Sequence, residues 1–194
     1  MQDIIAIAAF KDNYIWCLRQ AKLALVVDPG DALAVQQYLQ QQQLQLAVIL
    51  ITHHHPDHTG GILELKRLWP EAVVYAPAAE QHKIPYADQW LEDNQQLELT
   101  DFNLTFDVMQ LPGHTLGHIA YYSAPVLFSG DTLFNAGCGR LFEGTAEQMW
   151  QSLSRILALP DQTLIYATHE YTLANLEFAL WADPDNKTLV SYKH

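Results

Sequence analysis

Two cysteines, Cys17 and Cys138, are too few for a disulfide framework in a chain of 194 residues, and the expectation is a reducing, cytoplasmic location. Basic residues are also scarce: ten Lys and Arg stand against 22 Asp and Glu, a formal charge of −12. That deficit argues against a nucleic-acid partner, because phosphate backbones are held by Lys and Arg. It also disfavours anionic substrates at long range, so such a ligand needs a local cationic site, which bound metal ions can supply. Long apolar runs are missing as well. Leu46 to Ile51 is a run of six, far short of the about 20 residues that cross a bilayer, and reads as a buried strand. The opening MQDIIAIAAF has an acid at Asp3 and no base before Lys11, which makes a poor signal peptide.

What is present is enough for a core. Residues 1–194 fit one domain, and 49% of them are apolar, so disorder is excluded. Strand-like runs are Leu23–Asp28, Ala47–Thr52, Val73–Ala76, Leu104–Leu111, Ile119–Ser123, Val126–Ser129 and Leu164–Thr168. Helical spacing runs between them. The Gln-rich stretch from Val35 to Leu46 reads as a surface helix. A helix after Gly60 turns Ile62, Leu65, Leu68 and Trp69 inward. In another, Thr145 and Gln148 form a capping box before Met149, Trp150, Leu153, Ile156 and Leu157 on one face. A last helix carries Leu173, Leu176 and Leu180. Strands mixed with helices from early to late predict a layered α/β domain with helices outside.

Chemistry gathers at the strand ends. Four of the nine histidines fall in THHHPDHTGG, and imidazoles packed that tightly seldom suit a core. The strand Ala47–Thr52 runs into His53. The strand ending at Leu111 passes Pro112-Gly113 into His114. Val126–Ser129 leads through Gly130 to Asp131, and Leu164–Thr168 leads to His169. Gly113 and Gly130 let the backbone turn sharply. His53 and His55 alternate, so both side chains leave the chain on one side and His54 points away. Asp57 and His58 follow across a turn that Pro56 helps set.

Seven donors are too many for one tetrahedral zinc and suit two metals. His53, His55 and His114 are assigned to one cation and Asp57, His58 and His169 to the other. Asp131 is shared, because a carboxylate can hold one cation on each oxygen. Nitrogen and oxygen donors without thiolate leave Zn, Fe and Mn open. A histidine cluster alone could be an adventitious surface binder, a reading that weakens once three further strand ends supply matching donors. His82, His118 and His194 read as hydrogen-bonded core residues.

HxHxDH from His53 to His58, followed by a later His, Asp and His, resembles the metallo-β-lactamase superfamily. Asp28 in VVDPG resembles that superfamily's early Asp, which supports the metal ligands from behind. FKDNYIW, PGHTLGH, GDTLF, GCGRLFEGT and THEYTLANLEFA resemble the glyoxalase II family of hydroxyacylglutathione hydrolases, over roughly Phe10 to Ala179. The resemblance implies an αββα sandwich with the metals at one sheet edge. It implies hydrolysis of a small-molecule glutathione thioester such as S-D-lactoylglutathione, without nucleic-acid or membrane partners. Two divalent ions, zinc first, would ready a hydroxide for attack on the thioester carbonyl, with Asp57 orienting the water or managing its proton. Arg140 and Tyr171 match the family's glutathione contacts, and Phe142 stands where some relatives have Tyr. The family continues into a C-terminal helical domain whose basic residues hold the glutathione carboxylate. Neither Lys187 nor Lys193 matches them, and the sequence leaves open whether the chain is a natural short form or a fragment.

Two other readings remain. Persulfide dioxygenases share the HxHxDH segment with a single iron, whereas ligands for both cations are intact here. A metal-binding relative with little catalysis would also fit a short C-terminus.

Overall fold

The runs Leu23–Val27 and Gln45–Leu50 are, after the exposed Gln45, apolar at consecutive positions, the pattern of strands covered on both faces. The computed structural model, which describes residues 3–192, places them at the centre of a six-stranded sheet. Its strands in order are β1 (Ile4–Ala9), β2 (Asn13–Gln20), β3 (Leu23–Val27), β4 (Gln45–Leu50), β5 (Val73–Pro77) and β6 (Gln89–Leu91). The chain crosses in parallel from β3 through β6, and β1 to β3 are antiparallel.

A second, five-stranded sheet contains β7 (Gln96–Leu99), β8 (Leu104–Gln110), β9 (Ile119–Ser123), β10 (Val126–Gly130) and β13 (Leu164–Ala167), in the order β13-β10-β9-β8-β7. A small hairpin, β11 (Leu133–Phe134) with β12 (Gly137–Cys138), follows β10 in the chain. The helices are α1 (Ala32–Gln42), α2 (Pro56–Thr59), α3 (Ile62–Leu68), α4 (Ala146–Leu157), α5 (Thr172–Ala182) and α6 (Lys187–Tyr192). No helix among the described residues is long and apolar enough to cross a membrane.

Three apolar clusters glue the layers. Ala24, Val26 and Ile49 face one way and meet Val35 and Leu39 of α1 and Ile62 and Leu65 of α3. Leu25, Val27 and Leu50 face the other way and meet Phe106, Tyr121 and Phe128 of the second sheet. Met109, Leu111, Ala120 and Leu127 then pack on Ile156 of α4. The result is the αββα sandwich that the sequence resemblance implies.

Two helices sit differently from their sequence patterns. In α4 the buried residues are Met149, Ser152 and Ile156, while Trp150 and Leu157 are 63% and 73% exposed. The helix is turned towards Ser152 because its hydroxyl donates to the Pro112 carbonyl, at 2.7 Å, just ahead of His114. In α5 Leu176 is buried and Leu173 is 74% exposed; the helix is apolar on all sides, so periodicity cannot select a face. The capping box is as the sequence predicts, with Gln148 N–H on Thr145 Oγ1 at 3.2 Å and Thr145 N–H on Gln148 Oε1 at 2.9 Å. Thr145→Ala is expected to cost about 1 kcal/mol, read as a lower urea midpoint with an unchanged slope.

Candidate metal centre

Strand direction explains why the donors meet. β8 and β10 both run antiparallel to β9, and β13 runs parallel to β10. The loops after β8, β10 and β13 therefore leave the same edge, bearing His114, Asp131 and His169. β4 of the first sheet brings His53 to that edge. Gly113 and Gly130 have φ of 153° and 50°, backbone that side chains rarely adopt. A Cβ on Gly130 would also lie 2.6 Å from both His118 Nε2 and Thr52 Oγ1.

His55 is extended, with φ −60° and ψ 146°, and Pro56 opens the single turn of α2 that holds Asp57 and His58. His54 turns away and donates from Nδ1 to Glu80 Oε2 at 2.9 Å. His118 is buried as the sequence suggests: its Nε2 accepts the Asp131 N–H at 3.1 Å, and burial first of all pushes it down to about 3. His82, expected in the core, is exposed, because the turn after Glu80 carries it to the surface. His194 and Lys193 lie outside the described residues.

The tautomers define the first donor set. The Thr52 hydroxyl donates to Asp28 Oδ2 at 2.7 Å, so at 3.1 Å it can only accept from His53 Nδ1. His114 Nδ1 likewise donates to the Arg140 carbonyl at 2.8 Å. Both Nε2 atoms are thus left with bare lone pairs, and each lies 3.0 Å from His55 Nδ1. Burial is the main cause lowering the pKa of His53, His55 and His114, which keeps all three neutral. One proton on His55 cannot serve two facing lone pairs. A cation can serve all three.

The second set is richer in anions. His169 Nδ1 donates to Asp12 Oδ1 at 2.8 Å, and its Nε2 lies 3.3 Å from Asp57 Oδ2 and 3.4 Å from Asp131 Oδ2. His58 Nε2 is 3.5 Å from both Asp57 Oδ2 and Asp131 Oδ1. Its Nδ1 is 3.0 Å from Asp28 Oδ2 but not aligned for a hydrogen bond. Burial lowers His58 and His169 most, yet neighbouring carboxylates outweigh it. His58 stays well above the usual imidazole range and His169 rises to about 10. Burial raises Asp57 and Asp131, but the facing histidines bring both well below the ordinary carboxylate range. The carboxylates of this half thus demand positive charge between them.

Three buried atoms test whether metal fits. Both ring nitrogens of His58 and Oδ1 of Asp131 have no hydrogen-bond partner, a costly state for polar atoms that no solvent reaches. The donor atoms of His53, His55 and His114 lie within 4.8 Å of one another, as do those of Asp57, His58 and His169 and those of His53, His58 and Asp131. Asp131 stands between the sets, Oδ2 being 3.3 Å from His114 Nε2. Among the described residues no cysteine joins a cluster, and both cysteines are free. This is a divalent-metal site.

Aromatic rings wall it. Phe142, 58% exposed, has its ring centroid 5.4 Å from that of His55 and 5.3 Å from that of His114, nearly perpendicular to both, with the Arg140 guanidinium over it at 5.0 Å. Tyr171 stacks on His169 with centroids 4.9 Å apart and planes 3° from parallel. Burial pushes its hydroxyl up to about 12.

Of the outer support, sequence reasoning named Asp28 alone. Asp28, 1% exposed, accepts from Thr52 N–H at 2.8 Å and, more weakly, from Thr168 Oγ1 at 3.4 Å. Both threonines directly precede a strand-end histidine, a repeated signal that could have been read. Asn13 donates to Asp57 Oδ2 at 3.0 Å. Asp12 and Asn13 lie inside FKDNYIW, where nothing in the spacing gave them a task. Glu80 carried no signal at all.

The sequence model of the metallo-beta-lactamase superfamily matches residues 11–169. The hydroxyacylglutathione hydrolase of Photobacterium profundum is 54% identical over 194 residues, covering 100% of this chain and 75% of that protein. The hydroxyacylglutathione hydrolase of Nitrosomonas eutropha is 51% identical over 190 residues, 98% of this chain and 73% of that one. Among solved structures, the BLEG-1 B3 metallo-beta-lactamase superposes with a TM-score of 0.77 at 30% identity, covering 88% of this chain and 92% of that chain. ETHE1 from Myxococcus xanthus gives 0.75 at 27% identity, over 88% and 76%.

Proposed function

The chain belongs to the metallo-beta-lactamase superfamily and, within it, to the hydroxyacylglutathione hydrolases, which are thioester hydrolases; from that premise we propose that it cleaves S-D-lactoylglutathione to glutathione and D-lactate. In this reading residues 1–194 act as one catalytic domain in the cytoplasm. The observation that supports it most is the meeting of two donor sets at Asp131 in a chain so similar to those hydrolases.

His53, His55 and His114 would hold one divalent ion and Asp57, His58 and His169 the other, with Asp131 shared and zinc the proposed metal. Such ions, when bound, lower the pKa of water to near 7 and polarise a carbonyl oxygen. The side chains do the rest. Asp57 is half-buried, and Asn13 fixes its Oδ2, so it can orient the attacking water. Phe142 beside the first donor set and Tyr171 beside the second would flank the bound thioester. Arg140 supplies positive charge for a glutathione carboxylate in an otherwise acidic chain. A thiolate is a far weaker base than an amine, so no strong general acid is needed.

Release of thiol from S-D-lactoylglutathione by the 194-residue chain is the direct test. No turnover with two ions loaded per chain would overturn the reading. Asp57→Asn is expected to lower kcat about a hundredfold or more while metal content falls by less than half, measured by steady-state kinetics and elemental analysis. Parallel loss of metal and activity would make Asp57 a ligand only.

A further inference from the structure

The supports behind the two donor sets come from different parts of the fold. Asp57, His58 and His169 are backed by Asn13, Asp28 and Asp12, all near the N-terminal strands. Asp28 also reaches His53 through the Thr52 hydroxyl, but none of the three hydrogen-bonds to His55 or His114. Behind the first set stands a different group, Glu80. β5 lies beside β4 and runs parallel to it, and its end turns directly into a short 3-10 turn, Ala78–Glu80. That turn points the Glu80 side chain, 2% exposed, at the back of the metal centre.

Its carboxylate joins two segments. Oε2 accepts from His54 Nδ1 at 2.9 Å, and His54 lies between His53 and His55. Oε1 accepts from the Thr115 hydroxyl and from Gly117 N–H, the latter at 3.2 Å, in the loop that begins with His114. The loop can come this close only because residue 117 has no side chain: a Cβ there would collide with Glu80 Cγ and lie 2.9 Å from the Ala79 side chain. A second strap lies outside the first. Lys83, three residues after Glu80, donates to Glu143 at 2.5 Å, and Glu143 accepts Leu116 N–H at 3.0 Å.

We propose that Glu80 is a positioning residue for one half of the centre: its carboxylate sets the distance between the His53–His55 segment and His114, and so tunes the first cation site without tuning the second. The inference rests on the two-cation reading above. A carboxylate is suited to the task because it accepts from three donors in two directions, which no neutral side chain of its size does. Removing such outer partners typically weakens metal binding about 10- to 100-fold.

The test isolates each site. His169→Ala leaves the first donor set intact, and His114→Ala leaves the second. Cobalt(II) affinity is titrated in each background, from the visible absorption of the bound ion, with and without Glu80→Ala. The expected result is a loss of about 10- to 100-fold in the His169→Ala background and less than about threefold in the His114→Ala background. Glu80→Gln keeps an acceptor for Thr115 and Gly117 and should lose less. Thr115→Val, which removes one donor and little volume, should repeat the asymmetry at a few-fold, and it decides the matter if Glu80→Ala does not fold. Equal losses in both backgrounds, or no loss in the first, overturn the proposal. An otherwise unaltered chain that takes up fewer than two ions would instead overturn the two-cation reading, whatever Glu80 does.

Discussion

Asp131→Ala is expected to lose bound metal from both donor sets and to lower thioester hydrolysis by about a hundred- to several-thousandfold. Three histidines face this carboxylate: His58 at 3.5 Å, His114 at 3.3 Å and His169 at 3.4 Å. It is 5% exposed, so water cannot replace it as a counter-charge. Stripping the partner from a buried charge costs about 3–5 kcal/mol, and each 1.36 kcal/mol is a factor of ten. Both donor sets bear the loss, since Asp131 is the residue that lies between them. Asp131→Asn keeps shape and one acceptor oxygen but not the charge, and separates the two contributions. Metal per chain after dialysis against a chelator, read beside turnover, checks the expectation. Two ions retained with activity within a few-fold would show that the sets do not depend on a shared carboxylate.

The largest effect on stability is expected at Asp28. Asp28→Ala should destabilise the metal-free protein by about 3–5 kcal/mol, because each buried donor left unsatisfied costs about 1–3 kcal/mol. The strongest bonds lost are those from Thr52 N–H at 2.8 Å and Thr52 Oγ1 at 2.7 Å. Asp28 also sits at φ 54°, a conformation that costs alanine roughly 1 kcal/mol or more and that Asp and Asn tolerate. Asp28→Asn should therefore lose less. Urea unfolding of the chelated protein measures both, and a loss under about 1 kcal/mol for the alanine variant would contradict the assignment. Metal binding should suffer too, since Asp28 reaches His58 directly and His53 through the Thr52 hydroxyl.

The central strands were legible because β3, β4 and β10 are apolar on both faces, and such short runs have few other uses. Their ends were legible for a related reason: a histidine or aspartate following an unbroken apolar run has no packing role to explain it. The N-terminal pair β1 and β2 was not read as strands, although its register from Ile4↔Leu18 to Ala9↔Asn13 is regular. The tilt of α4 was hidden by Ser152, a polar residue that faces inward for the sake of one carbonyl. Of the outer supports Asp28 was read from its resemblance to the superfamily's early Asp; Glu80, Asp12 and Asn13 could not be, because each depends on a partner far along the chain. Glu80 and Thr115 lie 35 residues apart, and Asp12 and His169 lie 157 apart.

That last separation governs how the protein is made. Asp12 is synthesised 157 residues ahead of the imidazole it orients, which arrives only after β13 has been made. The Tyr14 N–H that meets the Thr168 carbonyl at 2.6 Å repeats the tie between the two ends of the described chain. Asp57, His58 and His169 thus come together only once β13 has been made, so an ion held by them would fasten the fold late rather than nucleate it.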